Sequence, residues 1–238
     1  MSLIPRDTDV FIASYPKSGN TWVRFIIANL LQPQRVITFR NIDEIVPDEH
    51  KLRGELEKFP SPRLIKSHHQ AFGAFPRYLY VYRDGRDALA SWYRYVTDRG
   101  TFAGSFSDFL RTRSRDTFAG HWHEHVGRAA IHAVSHPGKA LFLRYESLLT
   151  STRACVREIA SFFPLVVGDD EIDAAIAKTD IASLREMERQ YGPEIPGTKI
   201  GFFKEGRSGA WRDVFSGSDV DYFRSVAGET LDLLGYAN

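Results

Sequence analysis

The chain has 238 residues, 31 Lys and Arg against 30 Asp and Glu (formal charge +1), 43% hydrophobic residues and 26% charged ones. That balance is ordinary for a globular protein and excludes wholesale disorder, and a charge so near zero supplies no overall field for nucleic acid or an anionic membrane, so any anion site must be local. The length fits one domain, residues 1–238, and the lone Cys155, in an apolar-periodic stretch, cannot form an internal disulfide. Arg6, Asp7 and Asp9 interrupt any N-terminal apolar segment, and no run approaches membrane-spanning length. A reducing, cytoplasmic setting is expected.

In chain order, DVFIAS (9–14) reads as a strand and Asn20–Leu31 as a helix, joined by YPKSGNTW (15–22). RVITF (35–39) is a weaker strand candidate, and RLIKS (63–67) and RYLYVYR (77–83) are strong ones. Helical patterns follow at Asp87–Thr97 and His121–Ser135, then the strand ALFLRY (140–145) and a helix over Ser147–Phe163. The remainder is helical at 169–178, 181–190 and 217–234, around a Gly-, Pro- and charge-rich segment at 191–211. Near-continuous apolar strands alternating with helices predict a three-layer α/β/α fold around a mostly parallel sheet of about five strands. Ligands of such sheets bind beyond the carboxyl ends of the strands.

The unusual residues fall there. YPKSGNTW resembles a nucleotide phosphate loop, G-x-x-x-x-G-K-[ST], with the lysine displaced to Lys17 and Asn20 in its usual place. Gly19 lets backbone approach an anion, the helix start offers N–H groups, Lys17 adds charge, and Ser18 and Thr21 add hydroxyls. Trp22 offers a flat face. IKSHH (65–69) brings Lys66 and His68 to the same edge. In YVYRDGRDALAS (80–91), Arg83 ends the strand, Asp87 reads as a helix N-cap, and Ser91 lies a turn into the helix. FFKEGRSGAWRDVF (202–215) sets Gly206, Gly209 and Arg212 at a G-x-x-G-x-x-R spacing with Lys204 and Arg207 as further cations. Each cluster alone also fits an ordinary solvated turn or loop. His121, His123 and His125 alternate, whereas helical metal pairs want i, i+4 spacing, so no metal site is expected.

Together these motifs resemble the sulfotransferases that use 3′-phosphoadenosine 5′-phosphosulfate (PAPS), enzymes of P-loop-like fold, over nearly the whole chain and in the same order. YPKSGNTW matches the 5′-phosphosulfate loop, Lys66-Ser67-His68 the K-[ST]-H element, and Arg83 with Ser91 the 3′-phosphate element. Gly120, Trp122 and His125 match the G-x-W-x-x-H helix, Tyr145-Glu146 the pair after a strand, and KEGRSGAWR the closing element. Asn20 replaces a threonine, Glu205 a lysine, and Ala182-Ser183-Leu184 a T-S-F segment.

The resemblance implies in-line sulfuryl transfer to a hydroxyl or amine of a small-molecule or natural-product acceptor, with adenosine 3′,5′-bisphosphate (PAP) released and no metal required. His68 would be the general base, Lys17 would stabilise the leaving phosphate, and Lys66 would face the sulfuryl oxygens. Ser18, Gly19, Asn20 and Thr21 would hold the 5′-phosphate, Trp22 and Tyr145 the adenine side, and Arg83, Ser91, Lys204, Gly206 and Arg207 the 3′-phosphate. Trp122 and His125 would contact the acceptor. Phe102, Phe106, Phe109 and Phe118 read as core rather than as an acceptor pocket. Oligomeric state is open. The rival readings are a P-loop nucleotide kinase-like phosphotransferase and a non-catalytic module binding bisphosphate nucleotides.

Overall fold

Each strong apolar run forms a strand: β1 (Val10–Ser14), β2 (Leu64–Ser67), β3 (Arg77–Tyr82) and β4 (Ala140–Arg144). The computed structural model describes residues 3–52, 54–113, 119–163, 165–195, 201–204 and 206–236. Its helices are α1 (Asn20–Leu31), α2 (Gly85–Asp98), the single turn α3 (Phe106–Asp108), α4 (Trp122–Ser135), α5 (Tyr145–Thr150), α6 (Thr152–Phe162), α7 (Asp169–Thr179), α8 (Ile181–Tyr191) and α9 (Gly217–Leu233).

The strands pair in parallel in the order β2-β1-β3-β4, with Val10 opposite Leu64 on one side and Arg77 on the other. Alternation along the strands builds two cores. Phe11, Ala13, Tyr78 and Tyr80 face α2, α4 and α9, while Val10, Ile12, Leu79 and Val81 face α1 and α5–α8. Three layers result. Since β2 and β3 lie on opposite sides of β1, the chain order reverses beside β1, and the crevice beyond its carboxyl end is where a ligand belongs.

Among the described residues the sheet has four strands rather than about five. RVITF stays irregular because Asn41 satisfies its backbone: Asn41 Oδ1 accepts from Thr38 N at 2.8 Å, and Asn41 Nδ2 donates to the Val36 carbonyl at 2.9 Å. The helix expected over Ser147–Phe163 is divided at Ser151 (φ −138°, ψ 43°), which ends α5 and starts α6. The hydroxyls of Thr150 and Thr152 bond back to the carbonyls of Glu146 and Leu148, the local competition that favours such breaks. Phe106 and Phe109 are buried core, as expected, and Phe118 lies outside the described residues.

Candidate active site

Between β1 and α1 the chain turns through two left-handed residues, Lys17 (φ 65°) and Gly19 (φ 101°). Gly19 is required twice over, since a Cβ there would lie 2.6 Å from Cδ2 of Tyr145, whose ring covers the turn. Ser18 is fully buried, and its Oγ has no hydrogen-bond partner among the described residues. Such an orphaned hydroxyl is costly unless a ligand completes it, and α1 adds its N-terminal N–H groups beside it. Asn20 also has a structural use. Its side-chain amide donates to the Ile12 carbonyl at 2.8 Å and reaches Ser14 Oγ and the Ser67 carbonyl, tying β1 to β2.

At the end of β2, Lys66 is buried and its ammonium meets Asp48 Oδ2 at 2.6 Å. Asp48 is held well below the usual carboxylate range by that ammonium, with Arg24 assisting, against the opposing effect of burial. Nothing in sequence spacing announced Asp48. It arrives because Pro47–Glu49 anneals to the edge of β2: Lys66 N donates to the Pro47 carbonyl at 2.9 Å and Glu49 N to the Lys66 carbonyl at 3.2 Å. The His68 ring places Nδ1 2.7 Å from the Ser14 carbonyl, which can only accept, so Nδ1 carries the proton and the lone pair sits on Nε2. Burial, reinforced by Lys66, pushes His68 well below its ordinary value, so the ring is neutral near pH 7.

At the end of β3 the helix begins earlier than expected. Asp84, not Asp87, caps α2, accepting from Arg86 N at 2.9 Å. Asp87 lies in the first turn, buried, and accepts the backbone N–H groups of Gly209 and Trp211 at 2.8 Å each. It thus clamps the 206–211 segment over the site. Arg83 donates to the carbonyls of Lys17 (3.2 Å) and Arg207 (3.1 Å), lies over the Tyr145 ring, and buries an Nε with no partner among the described residues. The other end of the segment is held by Glu188, whose carboxylate accepts from Phe202 N and Phe203 N at 2.6 and 2.9 Å. Lys204 pairs with Asp98 at 3.2 Å and Arg207 with Asp213. Glu205 lies outside the described residues.

One cavity of about 760 Å³ collects these groups: Lys17, Gly19, Asn20, Thr21, Trp22, Lys66, His68, Arg83, Ser91, Tyr145, Lys204, Gly206 and Arg207 all line it. Lys17 stands between the rings of Tyr95 (4.3 Å) and Phe202 (4.0 Å). Burial, with help from Arg99, Arg83 and Lys66 and against the pull of Glu194, pushes its ammonium down to about 7. Trp22 donates Nε1 to the Thr179 carbonyl at 2.8 Å and meets Tyr145 edge-on, leaving both rings on the wall.

Trp122 and His125 stand behind that wall. Trp122 is buried, donates to the Arg83 carbonyl at 3.2 Å and packs on Gly85. His125 is buried with Nδ1 2.7 Å from Tyr80 Oη and Nε2 3.0 Å from the His68 carbonyl. Rather than lining the cavity, they brace the backbone of two residues that do. Sequence reading missed Asp48 and Glu188 and gave Asp87 the role of N-cap that Asp84 takes.

Comparison with known proteins agrees with this fold. The sulfotransferase domain model matches residues 7–235. The chain is 28% identical to sulfotransferase 1B1 of Canis lupus familiaris over 257 aligned residues, covering 95% of this chain and 86% of that one. It is 24% identical to the amine sulfotransferase of Oryctolagus cuniculus, covering 95% and 81%. Among solved structures, mouse sulfotransferase SULT7A1 complexed with PAP superposes with a TM-score of 0.75 at 20% identity, covering 95% of this chain and 84% of that one. Retinol dehydratase in complex with retinol and PAP gives 0.72 at 21% identity, covering 96% and 82%.

Proposed function

Because the chain belongs to the sulfotransferase family, whose domain spans residues 7–235, we propose that it moves a sulfuryl group from PAPS to a hydroxyl or amine of a small-molecule acceptor. The observation that carries this reading is the convergence of His68, Lys17 and Lys66 on the same cavity wall as the phosphate loop and the Arg83–Ser91 pair. The residues fit the donor: Ser18 Oγ and Arg83 Nε are buried polar atoms without partners among the described residues, and Gly19 keeps side-chain bulk out of the turn.

When bound, PAPS supplies a sulfuryl group on a phosphosulfate linkage whose cleavage leaves negative charge on the 5′-phosphate. Ser18, Thr21 and the N–H groups opening α1 hold that phosphate. The Lys17 ammonium, when protonated, answers the charge that develops on it. Arg83 and Ser91 hold the 3′-phosphate, with Lys204, Gly206 and Arg207 closing over it, and this subsite discriminates against ATP. Nε2 of His68 accepts the acceptor's proton, while Nδ1–H, fixed on the Ser14 carbonyl, sets the tautomer. Lys66, oriented by Asp48, places a cation beside His68 that favours the developing sulfuryl charge. The kinase-like alternative wants a free carboxylate at a strand end for Mg²⁺; Asp84 is instead engaged by Arg86 at 2.8–3.2 Å.

Calorimetric titration with PAP, ADP and ATP with Mg²⁺ tests the donor. Preference for PAP, weakened in Arg83→Ala, is expected; preference for ATP with Mg²⁺ overturns the reading. Transfer of labelled sulfuryl from PAPS to a panel of phenols, alcohols and amines then tests the chemistry. His68→Ala is expected to lower turnover by about 10²–10⁴-fold with PAP affinity retained.

A further inference from the structure

We propose that Glu49, His50 and His69 form a binding site for a borderline divalent transition ion, Zn²⁺ in the first instance, on the protein surface beside His68. Their ligand atoms lie within 4.8 Å of one another, with Glu49 buried, His50 half-buried and His69 exposed. His69 Nε2 is 3.8 Å from Glu49 Oε1, and the rings of His50 and His69 are 4.8 Å apart. Ligands around a tetrahedral Zn²⁺ sit about 3.3 Å from each other, as bonds of about 2.0–2.1 Å require. A contraction of at most about 1.5 Å is therefore needed, and rotation of the half-buried His50 ring and the exposed His69 ring can share it.

Two imidazoles and a carboxylate are a set that Zn²⁺ favours, whereas Ca²⁺ and Mg²⁺ want oxygen ligands alone. The backbone is already in place. Glu49 is pinned to β2 through its N–H on the Lys66 carbonyl, and His50 N bonds Asp48 Oδ1 at 3.0 Å. Ser67 orients both sides, donating its hydroxyl to Glu49 and accepting His69 N at 3.0 Å. A hydrogen bond on the ligating carboxylate, as Ser67 makes to Glu49, is part of what supports metal ligands in other proteins. His50 also lines the cavity and stacks on His68 at 6.0 Å between ring centroids, so an ion held there changes what faces His68.

The test is calorimetric titration of the untagged full chain with ZnCl₂, repeated with CoCl₂ while following visible absorption. One ion per chain is expected at this site, with a four-coordinate Co²⁺ spectrum and an affinity at least tenfold weaker in His69→Ala and in Glu49→Gln. His69 is exposed, so its removal leaves the fold intact, which circular dichroism verifies. The pair His132 and His136, stacked at 4.1 Å on α4, is the competing location, and His132→Ala is the control. Absence of saturable binding, or binding lost in His132→Ala and unchanged in His69→Ala, overturns the proposal.

Discussion

Donor binding should draw a proton from solution, and Lys17 is the group that takes it. In the free protein its ammonium is pushed down to about 7 by burial and by Arg99, Arg83 and Lys66. A bound phosphosulfate or bisphosphate places negative charge beside it and returns it toward the ordinary lysine value of about 10.4. At pH 7.5 about a quarter of the free protein carries the charge and at pH 8.5 about 3%, so binding takes up about 0.75 and then about 0.95 proton. The linked affinity for PAP falls about eightfold between those two pH values, because the free protein must first be protonated. The phosphates of PAP titrate near pH 6, below this window. Calorimetry in buffers of different ionisation enthalpy, such as Tris and HEPES, reads the uptake directly. Lys17→Met should bind more weakly, without uptake and with flat pH dependence. Wild-type binding that releases no buffer heat, at an affinity constant from pH 7.5 to 8.5, would refute the argument.

Gly19→Ala, strained by the left-handed backbone and pressed against Tyr145, is expected to lose donor affinity by at least tenfold and to lower Tm; unchanged titrations with PAP would contradict the placement of that ring. Asp87→Asn, which weakens the bonds to Gly209 N and Trp211 N, should cost about 1–3 kcal/mol in urea unfolding and reduce PAP affinity together. Arg63→Met strips the counter-charge from Asp9, a pair with both side chains at 0% exposure, and should cost about 3–5 kcal/mol in urea unfolding while leaving PAP affinity at permissive temperature unchanged.

Strands were legible wherever both faces are covered, because such segments cannot afford polar positions: Val10–Ser14 and Arg77–Tyr82 fall within the predicted runs. RVITF has the composition of a strand, yet Asn41 claims its backbone, and a competitor six residues beyond the run's start leaves no trace in periodicity. The cavity-lining residues were legible because Gly19, Lys17 and Arg83 stand at strand ends in unusual company. Their supports were not. Asp48 meets Lys66 from 18 residues away, and Asp87 holds a segment more than 120 residues later. Pairings at that range depend on the route of the chain, which local pattern does not encode. Trp122 and His125 are the complementary case: motif matching named them as acceptor contacts, and the coordinates add their bonds to the carbonyls of Arg83 and His68.

The annealing of Pro47–Glu49 to β2 bears on how this enzyme can be redesigned. The edge of a sheet is an invitation to any stray strand, and here the chain answers it with its own segment. A graft that omits the Pro47 carbonyl or the Asp48 carboxylate would uncover that edge and cut Lys66 loose in one stroke. Sequence in this scaffold is therefore open to exchange on either side of Pro47–Glu49, but not through it.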